Sequence, residues 1–386
     1  MALLLMLALL VGVLGCAEQG NEEQAEPETD VETAVEPEAE EADDAAPYVA
    51  EIEEICTKFC DDYRAAGLCV GVYDDGKVYY FNYGKTDWGA EDITENTQFE
   101  LASITKSFMG ILMAEMHADP SLDFDYTKPV ENYVPFRIPE KGGVKPLMWH
   151  LATHSSGMSR LPDNLFSEDP YRYYDVERMR EYFETAELNT VPGEKYAYSN
   201  LANGVLGVAL ANAAGKEDLD VEGLDALLRE RLLDPLGMED TCILLTEEQY
   251  AALAKPHKAT GGRAIIWGRE DSAIAGSGAM KSTASDMIKY IAACVGDTEL
   301  PETIAKGIDD ACTVHFVDGS TKMGFGFSEN QLPDGTVFYA KDGGSSGTQT
   351  YVAFCRETDT GVVALFNGKR TVSTTAKSIL EAIQPK

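Results

Sequence analysis

Apolar residues recur at helical spacing near both ends of the chain. Ile52, Ile55, Cys56, Phe59 and Tyr63 mark one face of a helix, and residues 374–383 read as a closing helix. After the first helix, Leu68-Cys-Val-Gly-Val-Tyr and Lys77-Val-Tyr-Tyr-Phe-Asn-Tyr flank an Asp-Gly pair, the composition of a β-hairpin. Strand composition with turn punctuation returns late, over residues 322–327, 336–340, 350–355 and 361–366. Between about 119 and 264 the pattern is helices and long loops; Leu224, Leu227, Leu228 and Leu232 line one helix, which Pro235 and Gly237 stop. An early hairpin and late strands separated by helices predict an α/β fold of the α+β type. Its antiparallel sheet is built from both chain ends and flanked by helices, with a mostly helical inserted subdomain at about 119–264.

One helical pattern carries chemistry. Past Ser103, the apolar residues Ile104, Phe108, Ile111 and Leu112 recur at helical spacing, so Ser103 opens a helix and shares a face with Lys106. A serine hydroxyl needs a base to take its proton, and a lysine in a dry, cationic pocket loses enough basicity to help. Taken alone, the pair reads more readily as a capping serine and a solvated lysine. Later stretches change that balance. Tyr198-Ser199-Asn200 supplies a phenol, which acts as a base only where cations stabilise phenolate. Lys106 is one such cation. Lys341, ending a strand before Asp342-Gly343-Gly344, is the second. Thr283 and Asp286 form a capping pattern, and the run from Gly276 that contains them reads as structural. His150 and His154 have a spacing that can hold a metal on a helix, but a satisfied structural pair is the favoured reading. No metal site is expected.

The charge narrows the partners. The chain of 386 residues has a formal charge of −35, and thirteen Asp or Glu with no Lys or Arg lie between Ala17 and Ala46. Without that segment, 53 acidic residues still face 31 basic ones. Such a surface disfavours nucleic acid and anionic head groups. Residues 17–47 read as a disordered, self-repelling tether. Ahead of it lies a short apolar run ending in Val13-Leu14-Gly15-Cys16, a signal segment rather than a membrane span. That ending resembles the lipobox of bacterial lipoproteins, which implies lipidation of Cys16. The protein is thus expected to be exported and lipid-anchored in a bacterial cell envelope, with residues 1–16 a signal, 17–47 a linker and 48–386 the folded domain. Of the remaining cysteines, Cys56 or Cys60 could reach Cys69 in an oxidising compartment, but buried free thiols are at least as good a reading.

Ser103-Ile-Thr-Lys106, Tyr198-Ser-Asn200 and Lys341-Asp-Gly343, in this order, resemble the three motifs of serine β-lactamases and penicillin-binding proteins, closest to the class C branch. The supporting stretches His150-Leu-Ala-Thr-His-Ser-Ser-Gly-Met and Asp234-Pro-Leu-Gly-Met-Glu-Asp-Thr match as well. The resemblance implies a serine hydrolase without cofactor that forms an acyl-enzyme at Ser103. Lys106 and Tyr198 would move its proton, with Tyr198 activating the deacylating water. Asn200 would hold the acyl amide and Lys106, and Lys341 would lower the Tyr198 pKa and attract a substrate anion. The backbone N–H groups of Ser103 and Gly344 would form the oxyanion hole, Asp342 and Gly343 would border the substrate, and Asn367 and Arg370 would bind its carboxylate. The implied substrates are β-lactams or D-Ala-D-Ala-type peptides, small molecules or peptidoglycan pieces. The alternatives are an esterase on the same scaffold and a penicillin-binding sensor that acylates without turnover. Lysine opening the third motif favours the amide and β-lactam members. Asp342 departs from the family threonine; its carboxylate could pair with Lys341 and weaken its field, or repel a carboxylate-bearing substrate.

Overall fold

The computed structural model describes residues 46–63, 67–165, 171–267 and 272–385, which belong to one compact unit. The signal segment, Cys16 and nearly all of the acidic linker lie outside the described residues. The chain opens with helix α1 (Val49–Tyr63) and the hairpin β1 (Gly67–Asp74) and β2 (Lys77–Gly84), joined at Asp75-Gly76. The short strand β3 (Phe99–Glu100) then runs through a 3-10 turn, Ala102–Ile104, into α2 (Thr105–Ala118). Among the described residues there follow α3 (Met148–Ala152), α4 (Val176–Thr185), α5 (Asn200–Ala213), α6 (Val221–Leu228) and α7 (Glu247–Ala252). Strand β4 (Lys281–Ser282) pairs with β3, and helices α8 (Ala284–Val295) and α9 (Glu302–Ala311) lead into the late strands. These are β5 (Phe316–Asp318), β6 (Thr321–Met323), β7 (Ser328–Gln331), β8 (Val337–Gly344), β9 (Gln349–Cys355) and β10 (Thr360–Phe366), closed by α10 (Ser373–Ala382).

The main sheet has the order β2-β1-β10-β9-β8-β7-β6-β5 with antiparallel neighbours throughout. Strands from the two chain ends therefore meet at the β1–β10 seam, as the hydrophobic pattern predicts. Both faces of the central strands are covered. Val362, Ala364 and Phe366 pack into a core with α1 and α10, while Val363 and Leu365 face the larger core that contains α2, α5 and α8. This is why β10 reads as an unbroken apolar run rather than an alternation.

Two local expectations need correction, and one open alternative is decided. Residues 322–327 are not one strand: β6 stops at Met323 and β7 begins at Ser328. Between them the backbone passes over α2 so closely that a Cβ on Gly326 would lie 2.3 Å from the Lys106 carbonyl oxygen. The helix through Leu224 does not continue regularly to Leu232 but passes at Arg229–Leu233 into a wider π-type turn. Cys56, Cys60 and Cys69 are free thiols, so the structure holds no disulfide among them.

Candidate active site

Ser103 lies in the 3-10 turn that leads into α2, so the regular helix begins two residues after the expected start at Ser103. The preceding residue, Ala102, has φ +48, a left-handed conformation that costs a residue with a side chain about 1–3 kcal/mol. The surrounding structure holds this turn in place. Leu101 N–H donates to Met280 O at 2.9 Å, and Thr350 Oγ1 donates to Leu101 O at 2.8 Å. Strand β8 closes against the same turn, which explains Gly343. A Cβ there would fall 2.3 Å from Leu101 O and 2.1 Å from Thr350 Oγ1. Gly343 thus serves close packing of strand on turn and is not among the residues lining the cavity described below.

Lys106 Nζ and Tyr198 Oη converge on Ser103 Oγ at 3.1 and 2.7 Å. Lys106 is fully buried, and Nζ also donates to the carbonyl oxygen of Ser277. Burial drives its pKa well below the ordinary lysine value, and the Lys341 charge adds to the fall. Tyr198 moves the other way. Burial raises its pKa to about 12, the Asp342 carboxylate adds to the rise, and the bond to Ser103 and the Arg160 charge oppose it. Burial thus disfavours the charged form of each, the ammonium of Lys106 and the phenolate of Tyr198. Any lowering of the Tyr198 pKa by Lys341 is outweighed by burial. Lys341 Nζ lies 5.5 Å from the centre of the tyrosine ring but is paired with Asp342 Oδ1 at 3.2 Å, and the phenol stays protonated.

Ser103, Tyr198, Lys341, Asp342 and Gly344 line one cavity of about 320 Å³, together with His154, Arg160 and Tyr196. Asp342 is exposed, and the Lys341 ammonium holds its carboxyl below the usual range. The strand offers an open margin here, because β7 pairs only with Val337–Ala340 and leaves Lys341–Gly344 unaccompanied on that side.

Asn200 begins α5 but does not hold Lys106. Its side-chain Oδ1 is buried without a hydrogen-bond partner among the described residues, and the lysine bonds instead to Ser277 O. Asn367 is displaced from its expected role altogether. It is fully buried, its Oδ1 accepts from Gly67 N–H at 2.7 Å, and its Nδ2 faces Lys85 O and Thr86 O at 3.4 and 3.2 Å. It ties β1 to the end of β10 and has nothing left for a ligand. Arg370 is exposed and is not among the residues lining the cavity.

The structure adds residues that motif reasoning missed. His154, read as half of a structural pair, packs its ring 4.3 Å from that of Tyr198 and accepts from Ser199 N–H at 3.3 Å. Burial, with the charges of Lys341 and Arg160, holds its imidazole well below its ordinary pKa. His150 does fit the structural reading, accepting from Leu147 N–H at 2.9 Å. The Gly276 run does more than cap α8. Thr283 accepts from Asp286 N–H at 3.1 Å as expected, but Ser277 also supplies the carbonyl that grips Lys106. Among the described residues, no cluster of His, Cys, Asp and Glu is placed to hold a metal.

A family model described as Beta-lactamase matches residues 42–384. A beta-lactamase of Yersinia enterocolitica is 26% identical over 337 residues, covering 78% of this chain and 82% of that protein. The D-alanyl-D-alanine-carboxypeptidase/endopeptidase AmpH of Escherichia coli K12 is 28% identical over 231 residues, 59% of this chain and 57% of that one. Among solved structures, a beta-lactamase/D-alanine carboxypeptidase from Pseudomonas syringae superposes with a TM-score of 0.77 at 20% identity, covering 88% of this chain and all (100%) of the other.

Proposed function

The chain belongs to the Beta-lactamase family of serine hydrolases, and from that premise we propose that it cleaves β-lactam or D-Ala-D-Ala-type amide bonds through an acyl-enzyme on Ser103. The observation that carries this reading is the convergence of Lys106 Nζ and Tyr198 Oη on Ser103 Oγ. A neutral lysine has two N–H bonds and a lone pair. One N–H serves the Ser277 carbonyl, and the lone pair can take the Ser103 proton. Tyr198, kept as a phenol, donates to Oγ in the resting enzyme and can pass its proton to the leaving group, refilling it from Lys106. The carbonyl oxygen of the substrate would turn negative against the backbone N–H groups of Ser103 and Gly344, and preorganised donors of this kind are often the largest catalytic contribution. Asn200 Oδ1, unpartnered, would accept from the acyl amide. In deacylation the same pair would work in reverse order, with Lys106 drawing the proton of water.

A second reading, an esterase on the same scaffold, is favoured by one observation: the Lys341–Asp342 pair at 3.2 Å, which lowers the cationic field offered to a substrate carboxylate. The N-terminal segment belongs to the proposal as well. Export through residues 1–16, a lipid on Cys16 and a charged tether over residues 17–47 would hold the domain off a bacterial membrane. A wild-type protein found in the cytoplasm, or a Cys16→Ala protein still membrane-bound, would overturn that part.

The catalytic reading is tested by intact mass after a penicillin or fluorophosphonate probe, expected to rise by one adduct that maps to Ser103. Equal labelling of Ser103→Ala would sink it. Turnover of a chromogenic cephalosporin, a nitrophenyl ester and a D-Ala-D-Ala peptide then separates the substrate classes, and an adduct that never clears marks a stalled penicillin-binding protein.

A further inference from the structure

We propose that Arg160 is the group in this cavity that receives an anionic portion of the substrate, a carboxylate above all; this rests on the hydrolase reading of Ser103. Three cations surround the Tyr198 ring, with Lys106 Nζ and the Arg160 guanidinium both 5.0 Å from its centre and Lys341 Nζ 5.5 Å away. Two of them are spent. Lys106 is buried with its Nζ taken up by Ser103 Oγ and the Ser277 carbonyl, and Lys341 has Asp342 Oδ1 at 3.2 Å. Arg160 is exposed, lines the cavity with Ser103, and has no carboxylate or hydrogen-bond partner for its guanidinium among the described residues. An arginine stays charged at every working pH and presents a planar fork that matches a carboxylate.

Its placement is fixed rather than incidental. Arg160 O accepts from Asn200 N–H at 2.9 Å and Leu201 N–H at 3.2 Å, and Ser199 Oγ donates to the neighbouring Ser159 O at 2.7 Å. The segment bearing the guanidinium is therefore stapled to the start of α5, directly after Tyr198. A backbone so held loses little further freedom when a ligand binds, so more of the ion-pair energy appears as affinity. The two residues expected to bind the substrate carboxylate leave this task open, because Asn367 is buried among backbone groups and Arg370 does not line the cavity. In a chain of net charge −35, an unpaired arginine beside the nucleophile is also the local exception that lets an anion approach.

The test compares three esters with the same reactive carbonyl chemistry: nitrophenyl butyrate, nitrophenyl hemiglutarate with a carboxylate on the acyl side, and the butyrate of a carboxy-nitrophenol with one on the leaving group. For each carboxylate ester, the ratio of its kcat/KM to that of the neutral ester is followed in wild type, Arg160→Ala and Arg160→Lys. At least one ratio should fall about tenfold in Arg160→Ala, chiefly through KM, recover partly in Arg160→Lys, and weaken with salt in the wild type. Loss by one common factor on all three esters would overturn the proposal, since Arg160 would then act only through Tyr198. A binding arm keeps the two readings separable. In Ser103→Ala protein, which cannot be acylated, calorimetric affinity for glutarate should drop at least about fivefold when Arg160→Ala is added. Unchanged affinity counts against Arg160, whereas glutarate binding that depends on Arg160 without ester turnover in the wild type would count against the hydrolase reading alone.

Discussion

On the strand side of the cavity, Lys341 sits in the second half of β8 with Asp342 beside it at 3.2 Å. On the helical side, Lys106 at the start of α2 and Arg160 ahead of α5 have no carboxylate partner among the described residues. The strand side solves the problem of a cation by pairing it, at an open margin where Asp342 is exposed. The helical side solves it twice over, by burying Lys106 so that its charged form is disfavoured and by leaving Arg160 in water. The same residue type, lysine within 6 Å of the same tyrosine ring, thus ends in two different surroundings. Burial and partners decide the state, and the motif does not.

Replacement of Lys106 should break the comparison most severely. Lys106→Ala is expected to lower the acylation rate of Ser103 by about 10²–10⁴, the range associated with a positioned general base. Lys106→Arg is the sharper variant, because it keeps a cation that cannot shed its proton. The same loss in both shows that the uncharged amine is what works; an active Lys106→Arg would show that a charge suffices. The pH dependence carries a definite sign. If the unprotonated amine is the base, as proposed, acylation should fall as pH drops through the lowered Lys106 pKa, and that acid limb should vanish in Lys106→Ala. Stopped-flow acylation across pH reads both.

Tyr198→Phe should rank second. It deletes only the hydroxyl that donates to Ser103 Oγ at 2.7 Å, and a loss of about 10–10³ in kcat is expected with the fold intact. Because burial places its pKa at about 12, the phenol stays protonated through neutral and mildly basic pH. The wild-type rate should accordingly show no climb between the Lys106 limb and strongly basic pH. A steady rise toward pH 12 that disappears in Tyr198→Phe would mean that phenolate is the base after all, and that Lys341 escapes Asp342 once substrate is bound.

Much of this site is legible along the chain because its parts are local. Ser103 and Lys106 are one helical turn apart, and Tyr198-Ser199-Asn200 opens α5, with Ser199 Oγ accepting from Ala202 N–H at 2.9 Å. The hairpin is legible for the same reason, since an Asp-Gly pair between apolar runs fixes the turn. What the chain conceals is set by distant contacts. The carbonyl on Lys106 comes from Ser277, 171 positions away, inside a run that looks purely structural. Asn367 matches a ligand pattern by spacing, yet 300 positions separate it from Gly67, whose N–H occupies it. Arg160 belongs to no motif, and only its neighbours in space give it a use. The signal that could have marked His154 is the stretch His150–Met158 already matched to the family, but its φ of +59 and its stacking on Tyr198 are tertiary facts.

The smallest expected effect is at Asp342, and it bears most directly on how the two sides share a substrate anion. Removing this carboxylate with Asp342→Thr frees the Lys341 ammonium, so the kcat/KM ratio of a carboxylate-bearing cephalosporin to an uncharged ester should rise. Asp342 is exposed, and water and salt screen a pair of this kind, which limits the gain to about two- to tenfold. The background matters. With Arg160 intact, a substrate carboxylate already has a cation to meet, and the gain should lie at the low end. In Arg160→Ala the freed Lys341 becomes the only uncompensated cation among the described residues lining the cavity, and the same substitution should restore more of the lost preference. A double-mutant cycle on the two positions, read as the ratio of charged to neutral substrate, should therefore be non-additive. Strict additivity would mean that the two cations serve separate parts of the substrate. No change of the ratio in either background would mean that Asp342 keeps Lys341 in place without weakening it.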